Sequence, residues 1–95
     1  MTMVLLEAVC KPEKVAAMTE KLAEHLPETR AFDGCRGFHA FLAEDGKTFV
    51  LVEHWDSPAH YERYRAWRVE NGTLDEIMAL LEAEPQVRYF EPVDA

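Results

Sequence analysis

The side chains with chemistry to offer are concentrated in one stretch, "FVLVEHWDSPAHYERYRAW", from Phe49 to Trp67. Glu53, His54 and Trp55 end an apolar run, and His60, Tyr61, Tyr64 and Trp67 follow on what reads as a helix. His60 falls in the first turn of that helix, where a neutral imidazole could take a proton from a bound ligand. Tyr61 and Tyr64 are one turn apart and share a face. Each buried hydroxyl needs a partner, and a phenolic ligand could be one. Trp55 could stack on a planar substrate, or it could simply fasten strand to helix. A carboxylate in a central strand, as Glu53 would be, must be paired or neutral. Arg36, Arg65, Arg68 or Arg88 could pair it. Left unpaired in a pocket, its pKa would rise and it could act as a base.

Other candidates have plainer roles. His25 precedes a helix end, where a cation is favoured, and needs no further explanation. Trp67 reads as a lid or interface aromatic. His39 and His54 could gather with a partner's copies, but no Cys or carboxylate stands at ligand spacing, so an interface pair is expected and no metal. The chain has no Gly-rich phosphate loop and no nucleophile elbow, and no cofactor is expected.

The elements that must position these residues follow from local signals. Met3 to Cys10 reads as a strand. Lys11-Pro12 opens a helix whose apolar face is Val15, Met18, Leu22 and Leu26; Pro27 ends or kinks it, leaving one further turn to Phe32. Asp33-Gly34 is a loop, Cys35 to Ala43 a second strand and Lys47 to Trp55 a third, joined by a two-residue turn at Asp45-Gly46. Ser57 caps the second helix, with Pro58 at its first position, and Asn71-Gly72 ends it. Thr73 and Glu76 form a capping box for a third helix, Pro85 closes it, and Gln86 to Glu91 is a last strand. The order β-α-β-β-α-α-β is a split βαβ pattern. It predicts an α+β, ferredoxin-like domain spanning residues 1–95, with a four-stranded antiparallel sheet and helices on one face.

The hairpin sets a register: Glu44 opposite Lys47 places His39 opposite Val52 and Gly37 opposite His54. Glu53 and Trp55 then share a face with Phe38, Ala40 and Leu42, while His39 and His54 lie diagonally on the other. Both faces of the first and third strands are apolar in the middle, although helices can cover only one. A second copy of the sheet is the expected cover, giving a face-to-face homodimer.

The chain has 95 residues, 18 acidic and 10 basic, for a formal net charge of −8. That balance disfavours nucleic acid and anionic membranes. Two cysteines without a CxxC spacing read as reduced thiols. The N-terminal apolar run contains Glu7 and lacks basic residues before it, unlike a signal peptide, so a cytoplasmic protein is expected.

"FVLVEHWDSPAHYERY" resembles the signature stretch of the antibiotic biosynthesis monooxygenase domain family: an apolar strand, Glu-x-Trp, a Ser-Pro-like helix start, then Ala-His. "GCRGFHAFLAEDG" looks like the family's second strand. The resemblance implies a dimeric α+β barrel of two ferredoxin-like sheets. It also implies cofactor-independent oxidation of a small aromatic quinol or anthrone by O₂, in a pocket between sheet and helices. Trp55 and Tyr61 match pocket positions of the anthrone-oxidising members, which carry an Asn where this chain has Leu51. Haem-degrading members place an Asn on the first strand, a Trp on the helix and a His further on; here Glu7 or a neighbour, Tyr64 and Leu74 stand instead. The resulting candidates are His60 and Tyr61 for catalysis, and Trp55, Tyr64, Leu51 and Leu42 for substrate binding. A non-enzymatic binding or interaction module, or an isomerase or cyclase, fits the same fold.

Overall fold

The computed structural model describes residues 1–94. Four strands form one antiparallel sheet: β1 (Thr2–Val9), β2 (Cys35–Leu42), β3 (Thr48–Trp55) and β4 (Gln86–Phe90), in the order β2-β3-β1-β4. Helices α1 (Val15–Ala31), α2 (Pro58–Glu70) and α3 (Thr73–Met78) complete the ferredoxin-like α+β fold. Burial alternates strictly along β3: Phe49, Leu51, Glu53 and Trp55 are buried, and Val50, Val52 and His54 are only partly so. That is the period of two expected of a strand with one covered face.

The register agrees with the sequence, with Gly37 opposite His54 and His39 opposite Val52. The turn differs. The Ala43 amide donates to the Thr48 carbonyl at 2.8 Å, closing a four-residue loop of Glu44 to Lys47. Asp45 stabilises that loop by accepting from the Lys47 and Thr48 amides, and Gly46 takes a φ of 76°. Two- and four-residue loops centred on the same bond leave the same residues opposite one another, so the register survives. A β-bulge between Cys35 and Gly37 brings Cys35 opposite Trp55, which no local signal in the sequence marks.

Pro27 does not end α1, which runs on to Ala31 after a 3₁₀ turn at Pro12–Lys14. Proline removes one helical hydrogen bond, and a clamp from outside holds the following turn. Arg68 on α2 donates to the His25 carbonyl at 3.2 Å and to Thr29 Oγ1 at 2.9 Å. Ser57 caps α2, accepting from the His60 amide. The capping box does not form at α3: Thr73 is its first helical residue, and its amide donates to Asn71 Oδ1 at 3.0 Å.

The core has two parts. One gathers Ala8, Met18, Leu22, Phe38, Phe49, Leu51 and Leu81 under α1 and α3. The other is aromatic, built on Val4, Trp55 and Tyr61, with Phe32 and Tyr64 against it. Both lie on the helix-covered face. On the other face Phe41 is 58% exposed, and Met3, Leu5, Val50 and Val52 are half-buried.

Candidate active site

A cavity of about 200 Å³ lies between the sheet and the helices. Its floor is sheet, from Leu6, Phe38, Leu51 and Glu53; Leu22 and His25 of α1 form one wall, and Tyr61 and Tyr64 of α2 another. An apolar cavity of about 150 Å³ accepts benzene. This one therefore takes a single substituted ring and is tight for three fused rings.

Glu53 is the unusual member. It is 2% exposed and pairs with none of the four arginines considered for it. Arg36 goes to Asp56 at 2.6 Å, and Arg68 to Glu28 at 3.4 Å. Glu53 accepts one hydrogen bond, from the Trp55 indole nitrogen to Oε1 at 3.1 Å. Among the described residues nothing donates to Oε2. Burial without a cation pushes the carboxyl up from 4.5 to about 7, against the smaller downward pull of the indole. Alternation explains its position: the period that buries Leu51 and Trp55 buries the residue between them on the same face.

The two tyrosines differ. Tyr64 is committed: Thr29 Oγ1 lies 2.8 Å from its hydroxyl and Arg68 Nε donates to it at 3.1 Å. The one Thr29 proton goes to the His25 carbonyl at 3.1 Å, so Tyr64 is the donor to Thr29. Arg68 itself is 4% exposed and lies over the Trp67 ring at 4.5 Å. The Tyr61 hydroxyl, by contrast, makes no hydrogen bond among the described residues. Burial holds its pKa well above the ordinary phenol value, with the charge of Glu53 adding to the shift, so it stays a donor at neutral pH.

Leu51, Tyr61 and Tyr64 thus meet around the cavity. Trp55 lies behind it, packed edge-on to Tyr61 at 6.0 Å and against Tyr64 at 5.0 Å, and reaches the cavity through its bond to Glu53. Leu42 shares the face but lies beyond the cavity lining, 48% exposed near the end of β2. His60 also lies outside the lining. Its Nδ1 is 2.7 Å from Ser57 Oγ, and its Nε2 is 3.9 Å from Asp33. Its ring covers Gly34, at φ 88°, where any Cβ would collide with it. Trp67 is no lid; it packs on Phe32 at 5.3 Å. His25 has a role its helix-end position did not suggest: it lines the cavity, and its Nε2 is buried without a partner. Among the described residues no three His, Cys, Asp or Glu side chains cluster as a metal site would require. No helix among them is long and apolar enough to cross a membrane.

A sheet floor, a helical roof and a buried acid between them define the class, a ferredoxin-like α+β domain with a pocket under its helices. The antibiotic biosynthesis monooxygenase family model matches residues 1–68, and the chain belongs to that family. Solved structures agree over the whole length. Rv0793 from Mycobacterium tuberculosis superposes with a TM-score of 0.86 at 24% identity, covering 99% of this chain and 96% of that one. A structure described as an antibiotic biosynthesis monooxygenase gives 0.89 at 21%, covering 99% and 100%. A conserved protein from Methanosarcina mazei Go1 gives 0.85 at 16%, covering 94% and 89%. At these identities the likeness is one of fold. No curated protein matches the sequence.

Proposed function

We propose that the protein is a cofactor-independent monooxygenase acting on a small aromatic quinol or a related carbon acid, with Glu53 as the base. The observation that carries this is a carboxyl at the floor of an apolar cavity, poised to titrate at about 7 and with one oxygen free. A base tuned near the working pH is the most effective proton acceptor. Family membership supports this reaction class.

In this reading Glu53 Oε2 takes a proton from the bound substrate. The Tyr61 hydroxyl donates to the oxygen on which negative charge develops. The electron-rich anion gives one electron to O₂, and the resulting radical and superoxide combine as a peroxide at carbon. Loss of water leaves a carbonyl: a CH₂ and O₂ become C=O and H₂O, with both hydrogens in the water. Trp55 holds Glu53 in place, and Tyr64, fixed by Thr29 and Arg68, shapes the wall. The role of base passes from His60 to Glu53, and of the two leucine candidates Leu51 lines the cavity and Leu42 does not. The test is oxygen uptake with metal-free protein on a panel of single-ring quinols and anthrones, comparing wild type with Glu53→Gln. Uptake that requires the protein and collapses in the folded variant supports the reading. No uptake on any substrate, with protein-dependent proton exchange into an enolisable ligand, would make the site an isomerase.

We further infer a homodimer through the open sheet face. Phe41, Val50, Val52, Leu5 and Met3 form a contiguous apolar surface there that no helix among the described residues covers. Sedimentation should give twice the chain mass for wild type and a monomer for Phe41→Arg; a monomeric wild type would sink this inference.

A further inference from the structure

Three cationic side chains, Lys21, Arg65 and Arg68, line the cavity of a chain whose net charge is −8. Two are already used. Lys21 pairs with Glu76 at 3.2 Å, and Arg68 spends its donors on Tyr64, Thr29, Glu28 and the His25 carbonyl. Arg65 is different. It is exposed, it marks the mouth of the cavity, and among the described residues no carboxylate lies within ion-pair distance of it. Glu84, the other exposed charge on the lining, does not reach it. Arg65 follows Tyr61 by one turn on α2 and lines the cavity with it, which places it at the tyrosine end.

The cavity is therefore asymmetric: an acid at its sheet floor and an unpaired planar cation at its mouth. A guanidinium fork matches a carboxylate in two parallel hydrogen bonds. We infer that the ligand is an aromatic acid, a phenolic ring whose hydroxyl or acidic C–H faces Glu53 and whose carboxylate reaches Arg65. A neutral ring of the same size would gain nothing from the cation, and a cationic ring would be repelled at the mouth. Glu84 is the opposing charge, and its removal should strengthen binding. The inference rests on the cavity being the ligand site, as proposed above, and adds the charge of the ligand.

The test uses two probes of similar shape, 4-hydroxyphenylacetate and 4-ethylphenol, followed by NMR chemical-shift titration with the Trp55 indole signal as reporter. Wild type should bind the acid about tenfold more tightly, the scale of one hydrogen bond to a charged group, and added salt should erode the difference. Arg65→Gln should bind both probes alike and keep the affinity for 4-ethylphenol; Glu84→Gln should widen the preference. Equal binding of the two probes by wild type would overturn the inference while leaving the cavity reading intact. So would a preference that survives Arg65→Gln. Failure of both probes to perturb the Trp55 signal would overturn both readings.

Discussion

The space between helices and sheet is treated in opposite ways at its two ends. At one end Phe32, Trp55, Tyr61, Tyr64 and Trp67 pack ring against ring, with centroids 5.0 to 6.5 Å apart. At the other, Leu6, Leu22 and Leu51 with Glu53 leave a hollow. The ring-rich end is where the sequence draws the eye, yet the Tyr64 hydroxyl is spent on Thr29 and Arg68 and the Trp55 indole on Glu53. The hollow end is plainer in sequence and keeps the free carboxylate oxygen. Aromatic density here is a buttress, and the chemistry lies where the buttress stops.

Trp55→Ala tests the buttress most severely. Trp55 is fully buried, touches three rings and is, among the described residues, the one hydrogen-bond donor to the Glu53 side chain. Its truncation should cost about 3–5 kcal/mol of unfolding free energy, measurable by urea denaturation. A loss below about 1 kcal/mol, the level of an ordinary surface change, would mean the rings are not what holds this end together.

Glu53→Gln tests the hollow. Turnover should fall by about 10²-fold or more if the carboxylate is the base, and wild-type kcat/KM should rise with pH through about 7. Stability should move the other way. The folded-state pKa lies above the unfolded one, so the folded protein binds the extra proton, and wild-type stability should decline as pH rises from 4.5 towards about 7. The decline should be about 3 kcal/mol. Glu53→Gln should abolish that slope and be the more stable protein at pH 8. A wild-type stability that is flat across this window would show that Glu53 is not buried as a neutral acid.

Tyr64→Phe probes the seam between the two ends. It removes the acceptor of Arg68 Nε and the donor to Thr29, inside the clamp that holds the helical turn after Pro27. Unfolding should cost about 1–3 kcal/mol less than in wild type, and amide exchange should quicken over the last turn of α1. Equal stability would mean that Arg68 finds other acceptors and the clamp is redundant.

The strand alternation was legible before any coordinates, because a period of two assigns faces directly and the hairpin centre assigns register. The pocket was legible only in part. Sequence spacing placed Tyr61 and Tyr64 on one helix face, but whether a hydroxyl is free depends on Thr29 and Arg68, which are 35 and 4 residues from Tyr64. Glu53 was open to either role because four arginines could have reached it; only packing shows that none does. His25 was dismissed as a helix-end cation, since nothing local reveals that α1 turns it towards the cavity. Leu42 shares a face with Leu51, but it lies four residues beyond Phe38 at the far end of β2, where the strand has run out from under the helices.

His60 gives the smallest expected effect and the sharpest contrast. Its residue type and its place in the first turn of α2 made it a candidate base, but its ring is turned to the loop, covering Gly34 and bonded to Ser57. Its backbone amide keeps Ser57 as the cap whatever the side chain, so His60→Ala removes one partly exposed hydrogen bond and some packing. The cost should be about 0.5–1.5 kcal/mol, with turnover and its pH profile unchanged. A base within the hollow and a base at the aromatic end make opposite predictions for this variant. If His60→Ala lost activity by about 10²-fold while Glu53→Gln kept it, the proton would leave through the loop side, and the hollow would be a binding space alone.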